Sequence, residues 1–267
     1  MRYAVISDVH ANLPALEACV EYVEALGVTR YVCAGDLVGY GPQPNECVRV
    51  VRDLRAICVR GNHDEMAVNY DELAGGQATE TPMLETSLWT RNKLEPDVHA
   101  FLIGLPRTAE VGPVIVAHGS LDRTNEYIQT EEQAQEQLRL LGSRWPGASI
   151  LVLGHTHRAS AYSAWSGSRW GGRRRVALNP RRRYVINPGS VGQSRQWEPG
   201  PRARFAVLDD ELRAVTFYAI KYDHARTREA LRAQGLASDS LFSAGSAAGA
   251  LRRLRGRLRG VVHGPTP

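Results

Sequence analysis

The sequence predicts an α/β fold, and three observations lead to it. Short apolar runs of strand length alternate with segments of helical period, and most of these runs end in a small polar cluster. The last third of the chain then changes to two-residue alternation. The elements follow in order. Residues 2–7 read as a buried strand running into Ser7-Asp8-Val9-His10. Leu13, Leu16, Val20, Val23 and Leu26 then recur on one helical face, and Gly27 supplies a stop. Residues 29–34 form a second strand ending in Gly35-Asp36. A helix over Pro44–Leu54 and a strand over 56–60 lead to Gly61-Asn62-His63-Asp64.

Residues 65–110 read mostly as helix with a break at Gly75-Gly76. Within them, Pro82–Leu94, carrying Met83, Leu84, Leu88 and Trp89, reads as a helix packed on the core or a cap beside the site. Val114–Ala117 and Ile150–Leu153 are compact strands leading into His118-Gly119 and Gly154-His155-Thr156-His157, with a surface helix over Glu131–Leu141 between them. Alternation over 174–187 and 204–218 predicts antiparallel strands. Residues 1–240 are expected to form one domain. Residues 241–267 are an arginine-rich extension, in which 251–259 can be written as a basic helix or a flexible tail.

At 267 residues the chain is long enough to bury a full core. No apolar stretch approaches the roughly 20 residues that cross a bilayer, and Met1–Ile6 leads directly into Asp8 without the regions of a signal peptide. A cytoplasmic location is the expectation. Cys19, Cys33, Cys47 and Cys58 form no CxxC pair, and Cys33 reads as a small buried hydrophobe, so disulfides are not expected. The net charge of +5 favours anionic partners without selecting nucleic acid. Nothing in the pattern fixes an oligomeric state.

The polar clusters are the chemical signal. Asp8 and His10 are two apart, as are His155 and His157, and in an extended segment such pairs point to one side. Strand ends converge at one edge of an α/β sheet, so Asp8, His10, Asp36, Asn62, His118, His155 and His157 can form one site. Imidazoles mixed with carboxylates suit divalent transition metals rather than a calcium cage or a thiolate zinc site. Singly, each residue has a plainer reading as a helix cap, a turn residue or an exposed side chain. The order of all five clusters carries the assignment.

That order resembles the calcineurin-like metallophosphoesterase superfamily over roughly residues 3–220, and Gly35–Pro42 with Asn187–Gly192 looks like a bacterial phosphodiesterase-like branch. The resemblance implies a four-layer α/β/β/α sandwich with two central mixed sheets. It implies two divalent ions, with manganese the first choice and iron, zinc, nickel or cobalt the alternatives. One ion would be held by Asp8, His10, Asp36 and His157, the other by Asp36, Asn62, His118 and His155, with Asp36 shared. It further implies a hydroxide between the ions as nucleophile, His63 as the residue that stabilises the transition state or protonates the leaving oxygen, and Asp64 as its orienter. Two positions depart from the pattern. Ala11 stands where many relatives have glycine, which is harmless if its φ is negative, and Gly39 stands where many carry an aspartate.

The expected reaction is hydrolysis of a phosphate ester, a phosphodiester first, with a small molecule or nucleotide as substrate. A phosphomonoesterase or protein phosphatase is the alternative. A non-catalytic nucleic-acid-binding or scaffold protein with a structural metal site is the reading from another class. Asn12 is a substrate contact or a helix cap. Arg123, Arg158 and Arg195 are near the clusters and are candidates for substrate binding. Seven arginines within Arg169–Arg183, with Trp165, Trp170 and Tyr184 nearby, suggest a basic hairpin at the metal end that binds phosphate, or a solvated hairpin.

Overall fold

The computed structural model describes residues 1–69, 82–163, 166–169, 174–196, 200–237 and 241; the expected Gly75-Gly76 break, Trp165, Trp170, Arg173 and the segment 242–267 lie outside these. The chain begins with β1 (Arg2–Ile6), α1 (Leu13–Ala25), β2 (Tyr31–Cys33), α2 (Pro44–Asp53), β3 (Ile57–Cys58) and α3 (Asn62–Val68). Next come α4 (Pro82–Lys93), α5 (Pro96–Gly104), β4 (Ala109–Val111), β5 (Val114–Val116), α6 (Glu131–Arg144), β6 (Ile150–Val152), β7 (Ser160–Ser163) and β8 (Ser166–Arg169). The last elements are β9 (Arg174–Ala177), β10 (Tyr184–Asn187), β11 (Ala203–Asp209), β12 (Ala214–Ile220) and α7 (His224–Ala233).

Two mixed sheets result, in the orders β3-β2-β1-β11-β12-β9 and β4-β5-β6-β10-β7-β8. The period of two decides the layers. In β1, Ala4 and Ile6 join a core under α1, α2 and α7, whereas Val5 faces the second sheet. In β6, Leu151, with Leu153 just beyond the strand, joins a core under α6, whereas Ile150 and Val152 face the first sheet. Three cores between four layers follow, which is the expected α/β/β/α sandwich. Burying a side chain such as Ile6 or Leu151 contributes about 1.5–3 kcal/mol, and a one-residue register slip in β1 would mismatch both faces at once, turning Ala4 and Ile6 toward the second sheet and Val5 toward the helices.

Several expectations change. The strands over 174–187 have the expected antiparallel partners but form no hairpin with each other: β9 joins β12 of the first sheet, and β10 lies between β7, antiparallel, and β6, parallel, in the second. The hairpin in this region is β7–β8, upstream of most of the arginines. The α4 helix forms, but it buries Thr86, Ser87 and Thr90 while Leu88 stays 40% exposed. Strand β4 and helix α7 were not foreseen. Leu241 is buried in the core under α1, one residue past the expected boundary at 240. All four cysteines are free and buried. No helix among the described residues is long and apolar enough to cross a membrane.

Candidate metal centre

Parallel strands β1, β2 and β3 deliver Asp8 with His10, Asp36, and Asn62 with His63 to one edge; parallel strands β5 and β6 deliver His118, and His155 with His157. Asp8, His10, Asp36 and His157 each bring a ligand atom within 4.8 Å of one another, and Asp36, His118 and His155 do the same. Asn62 joins the second group, its Oδ1 lying 3.1 Å from His118 Nε2, which is itself 3.2 Å from Asp36 Oδ2. In the first group, His157 Nε2 is 3.2 Å from Asp8 Oδ1 and 3.1 Å from His10 Nε2. All seven sequence candidates therefore meet, and Asp36 belongs to both groups.

They do not converge through strand pleating. Asp8, His10, Asp36, His155 and His157 have φ of 54°, 49°, 55°, 64° and 56°, in the left-handed region that costs an L-residue about 1–2 kcal/mol. Hydrogen bonds from the backbone N–H groups, two to carbonyls and one to a carboxylate, hold these turns. Asp8 N donates to Gly35 O at 2.9 Å, His10 N to Asp36 O at 3.0 Å, and His155 N to Asp8 Oδ1 at 3.1 Å. Ala11 also has positive φ, 51°, so the assumption of a harmless methyl group there fails.

Second contacts fix the imidazoles. His10 Nδ1 donates to Val38 O, His118 Nδ1 to Ala34 O and His157 Nδ1 to Gln193 O, so each ring turns its Nε2 toward the centre. The donor set fits divalent cations. Asp36 Oδ2 and His155 Nε2 are buried with no hydrogen-bond partner in the described structure, an arrangement a cation would satisfy. Burial works against the charge on Asp8 and Asp36, yet the His157 contact for Asp8 and the His118 contact for Asp36 outweigh it, and both carboxyls are held well below the usual range. Burial pushes His10 well down and His155 down to about 4, leaving neutral rings with free lone pairs. Burial opposes charge on His118 too, but the Asp36 carboxylate raises it to about 9.

His63 and Asp64 have separate duties. The His63 Nδ1 is buried without a partner in the described structure, and burial takes the ring down to about 4. Its ring lies edge-on to His10, with centroids 4.9 Å apart. A Cβ on Gly39 would sit 2.6 Å from His63 Nδ1, so glycine at this position makes room for the imidazole. Asp64 does not orient His63. Its carboxylate accepts from the backbone N–H groups of Asp36, Leu37, Val38 and Gly61 at 2.9–3.2 Å and so anchors the Asp36 loop. Burial and the nearby Asp36 push Asp64 up to about 7.

The remaining candidates separate as clearly. Asn12 is fully buried, and its amide donates to Gly192 O and Tyr222 Oη while its Oδ1 accepts from Thr227. It occupies the N-cap position of α1 without a side-chain capping bond, because its amide is taken up by these buried partners. Arg123 is exposed, and only its backbone enters the local turn with Ser120. Arg158 is exposed on a cavity of about 310 Å3 on the α6 side of the second sheet, beside the loop that carries His155 and His157. Arg195 does reach the centre, where Nη1 donates to Tyr127 Oη at 3.0 Å.

The seven-arginine segment is not at the metal end as a unit. Arg181, Arg182 and Arg183 precede β10 at the opposite end of the sheet, and Arg183 donates to Ala148 O and Pro146 O. Sequence reasoning missed Tyr40 and Tyr127, whose rings pack on His63 at 4.5 Å and on His155 at 3.9 Å. Tyr40 lies inside the Gly35–Pro42 motif and could have been found there; Tyr127 has no local signal. Asn187–Gly192 is a strut: Asn187 donates to Gly154 O and Thr156 Oγ1, and Ser190 Oγ donates to Asp8 O at 2.8 Å.

Comparison with known proteins gives the family and the fold. A family model described as the calcineurin-like phosphoesterase superfamily domain matches residues 1–211. The crystal structure of a metallophosphoesterase from Sphaerobacter thermophilus is 32% identical, with a TM-score of 0.74, over 91% of this chain and 98% of that one. A hypothetical protein from Pyrococcus horikoshii OT3 shares the fold at 20% identity and a TM-score of 0.73, over 90% and 96%. An uncharacterized protein of Methanocaldococcus jannaschii is 29% identical over 237 residues, 85% of this chain and 90% of its own length. Every ligand-bearing loop, from Asp8 to His157, falls inside the matched region, and the chain belongs to the calcineurin-like phosphoesterase superfamily.

Proposed function

We propose that the protein hydrolyses phosphodiesters at a centre of two divalent metal ions. The observation that carries this reading is the pair of ligand groups sharing Asp36, with the unpartnered His63 imidazole beside them. Asp8, His10, Asp36 and His157 would hold one ion, and Asp36, Asn62, His118 and His155 the other. Bound ions would polarise the phosphoryl oxygens and make a coordinated water nucleophilic near neutral pH. Manganese is the first choice because the donors mix carboxylate and imidazole; iron, zinc, nickel and cobalt suit the same set.

The chain's own groups do the rest. His63, buried and neutral, donates one N–H to the leaving oxygen as negative charge develops there. Tyr40 and Tyr127 cover the His63 and His155 rings and limit water on those faces. Diesters rather than monoesters follow from the likeness of Gly35–Pro42 and Asn187–Gly192 to a phosphodiesterase-like branch. The substrate would be a small molecule or nucleotide.

Full-length protein reconstituted with manganese and assayed on bis(p-nitrophenyl) phosphate and p-nitrophenyl phosphate tests the choice. Higher kcat/KM on the diester is expected. Preference for the monoester would replace this reading with a phosphomonoesterase. Failure to hydrolyse either ester, cyclic nucleotides, dinucleoside polyphosphates or phosphopeptides would leave a non-catalytic binding protein.

A further inference from the structure

Arg195 is held over the centre by one support from each ligand group. Its Nη1 donates to Tyr127 Oη at 3.0 Å, and the Tyr127 ring stacks on His155 of the second group with centroids 3.9 Å apart and planes 30° apart. Its Nη2 reaches Gln193 Oε1 at 3.4 Å, and the Gln193 carbonyl accepts from His157 of the first group. A guanidinium offers five N–H donors in one plane. Among the described residues these two oxygens are its only hydrogen-bond acceptors, and no carboxylate pairs with it. A part-buried cation left without an anion next to a phosphoester-cleaving centre is arranged for an anion that arrives from outside.

The Tyr127 support is itself fixed. Ser120 N donates to Arg123 O at 2.8 Å, and Thr124 Oγ1 donates to Glu65 Oε2 at 2.9 Å. Glu65 belongs to α3, the helix that begins with Asn62 and His63, and Arg107 holds its other oxygen at 2.9 Å. A Cβ on Gly119 would stand 2.5 Å from Thr124 O, so the turn after His118 is packed closely against this segment. Tyr127 is therefore presented by the same scaffold that presents His118 and Asn62.

We propose that Arg195 binds a non-bridging oxygen of the substrate phosphate, and that Tyr127, through its hydroxyl, is the positioning residue that aims the guanidinium. This rests on the phosphoesterase reading above and adds a residue that acts through another. Tyr127→Phe keeps the stack on His155 and removes only the acceptor, so Arg195 stays charged but loses its orientation. The effect falls mainly on KM.

The test is a double-mutant cycle in manganese-reconstituted full-length protein, with bis(p-nitrophenyl) phosphate as probe and metal content measured for each variant. Arg195→Ala is expected to lower kcat/KM about a hundredfold, and Tyr127→Phe about tenfold with most of the change in KM, as for loss of hydrogen bonds to a charged group. In the Arg195→Ala background, Tyr127→Phe is expected to change kcat/KM less than about twofold, because its target is gone. Millimolar guanidinium chloride is expected to recover part of the activity of Arg195→Ala and none of that lost in Tyr127→Phe. Wild-type kinetics for Tyr127→Phe, or independent multiplication of the two effects, would overturn the clamp while leaving the proposed function standing. A metal-loaded wild type inactive on every phosphate ester would bring down the proposed function and the clamp together.

Discussion

The two ends of the sheets treat charge in opposite ways. At the carboxyl edge of β1, β2, β5 and β6, two aspartates and four imidazoles are buried at 5% exposure or less, and two of their atoms have no hydrogen-bond partner among the described residues. At the start of β10, Arg181 and Arg183 are exposed, and Arg183 rests on carbonyl oxygens. The arginine cluster is the more conspicuous in sequence, but exposed charges such as those of Arg181 and Arg183 cost little to maintain. The carboxyl edge keeps desolvated donors and strained backbone, which persist only where the surrounding structure over-determines them. Chemical capacity follows burial without a partner rather than the density of charge.

Substitutions can sharpen or break that contrast. The largest effect is expected at Asp36, which both groups share. Asp36→Ala should lower kcat/KM about a thousandfold or more and reduce metal content to less than half, measured by kinetics and elemental analysis. Retention of both ions would break the shared-ligand assignment. At Asp64, replacement by alanine leaves four buried N–H groups without their acceptor and should destabilise the fold by about 3 kcal/mol in urea titration. A stability within about 0.5 kcal/mol of wild type would show that the loop does not depend on this anchor.

His63→Ala is expected to lower kcat about a hundredfold with metal content near wild type, because His63 lies in neither ligand group. Normal turnover of the metallated variant would remove it from catalysis. A smaller gain is expected at Ala11, where φ is 51°. Relief of about 1–2 kcal/mol of left-handed strain exceeds the roughly 0.5–1 kcal/mol entropy cost of glycine, so Ala11→Gly should stabilise the fold by about 0.5 kcal/mol. Smallest of all, Arg181→Gln with Arg182→Gln should leave kcat/KM for bis(p-nitrophenyl) phosphate within about twofold, since both side chains belong to the opposite end. A tenfold fall would mean that substrate reaches that end.

The neighbours His63 and Asp64 show how far sequence reading extends. Both were legible as polar residues in one cluster after a strand, and both are buried at the centre. Their duties differ only because four backbone N–H groups from two loops converge on Asp64, a pattern no local spacing encodes. Asn12 makes the same point, since its partners Gly192, Tyr222 and Thr227 are 180 to 215 positions away. The arginine segment misled for a related reason: charge density is visible along a chain, but the sheet a strand will join is not. Between Ala177 and Tyr184 the chain passes from one sheet to the other, and no residue in that stretch announces it.

By itself the sequence determined the residue types, their order and their places after strands, which suffices for an α/β fold and for the seven candidate ligands, whereas the division into two sheets came only through the family resemblance. These features are local, because apolar period and strand-end clusters are written within a few residues. The tertiary structure alone decided that left-handed turns rather than strand pleats aim the ligands, that Asp64 anchors while His63 stays free, and that Arg195 is held by Tyr127 and Gln193. Each of these depends on groups far apart in the chain competing for the same few hydrogen bonds in a space from which water is excluded.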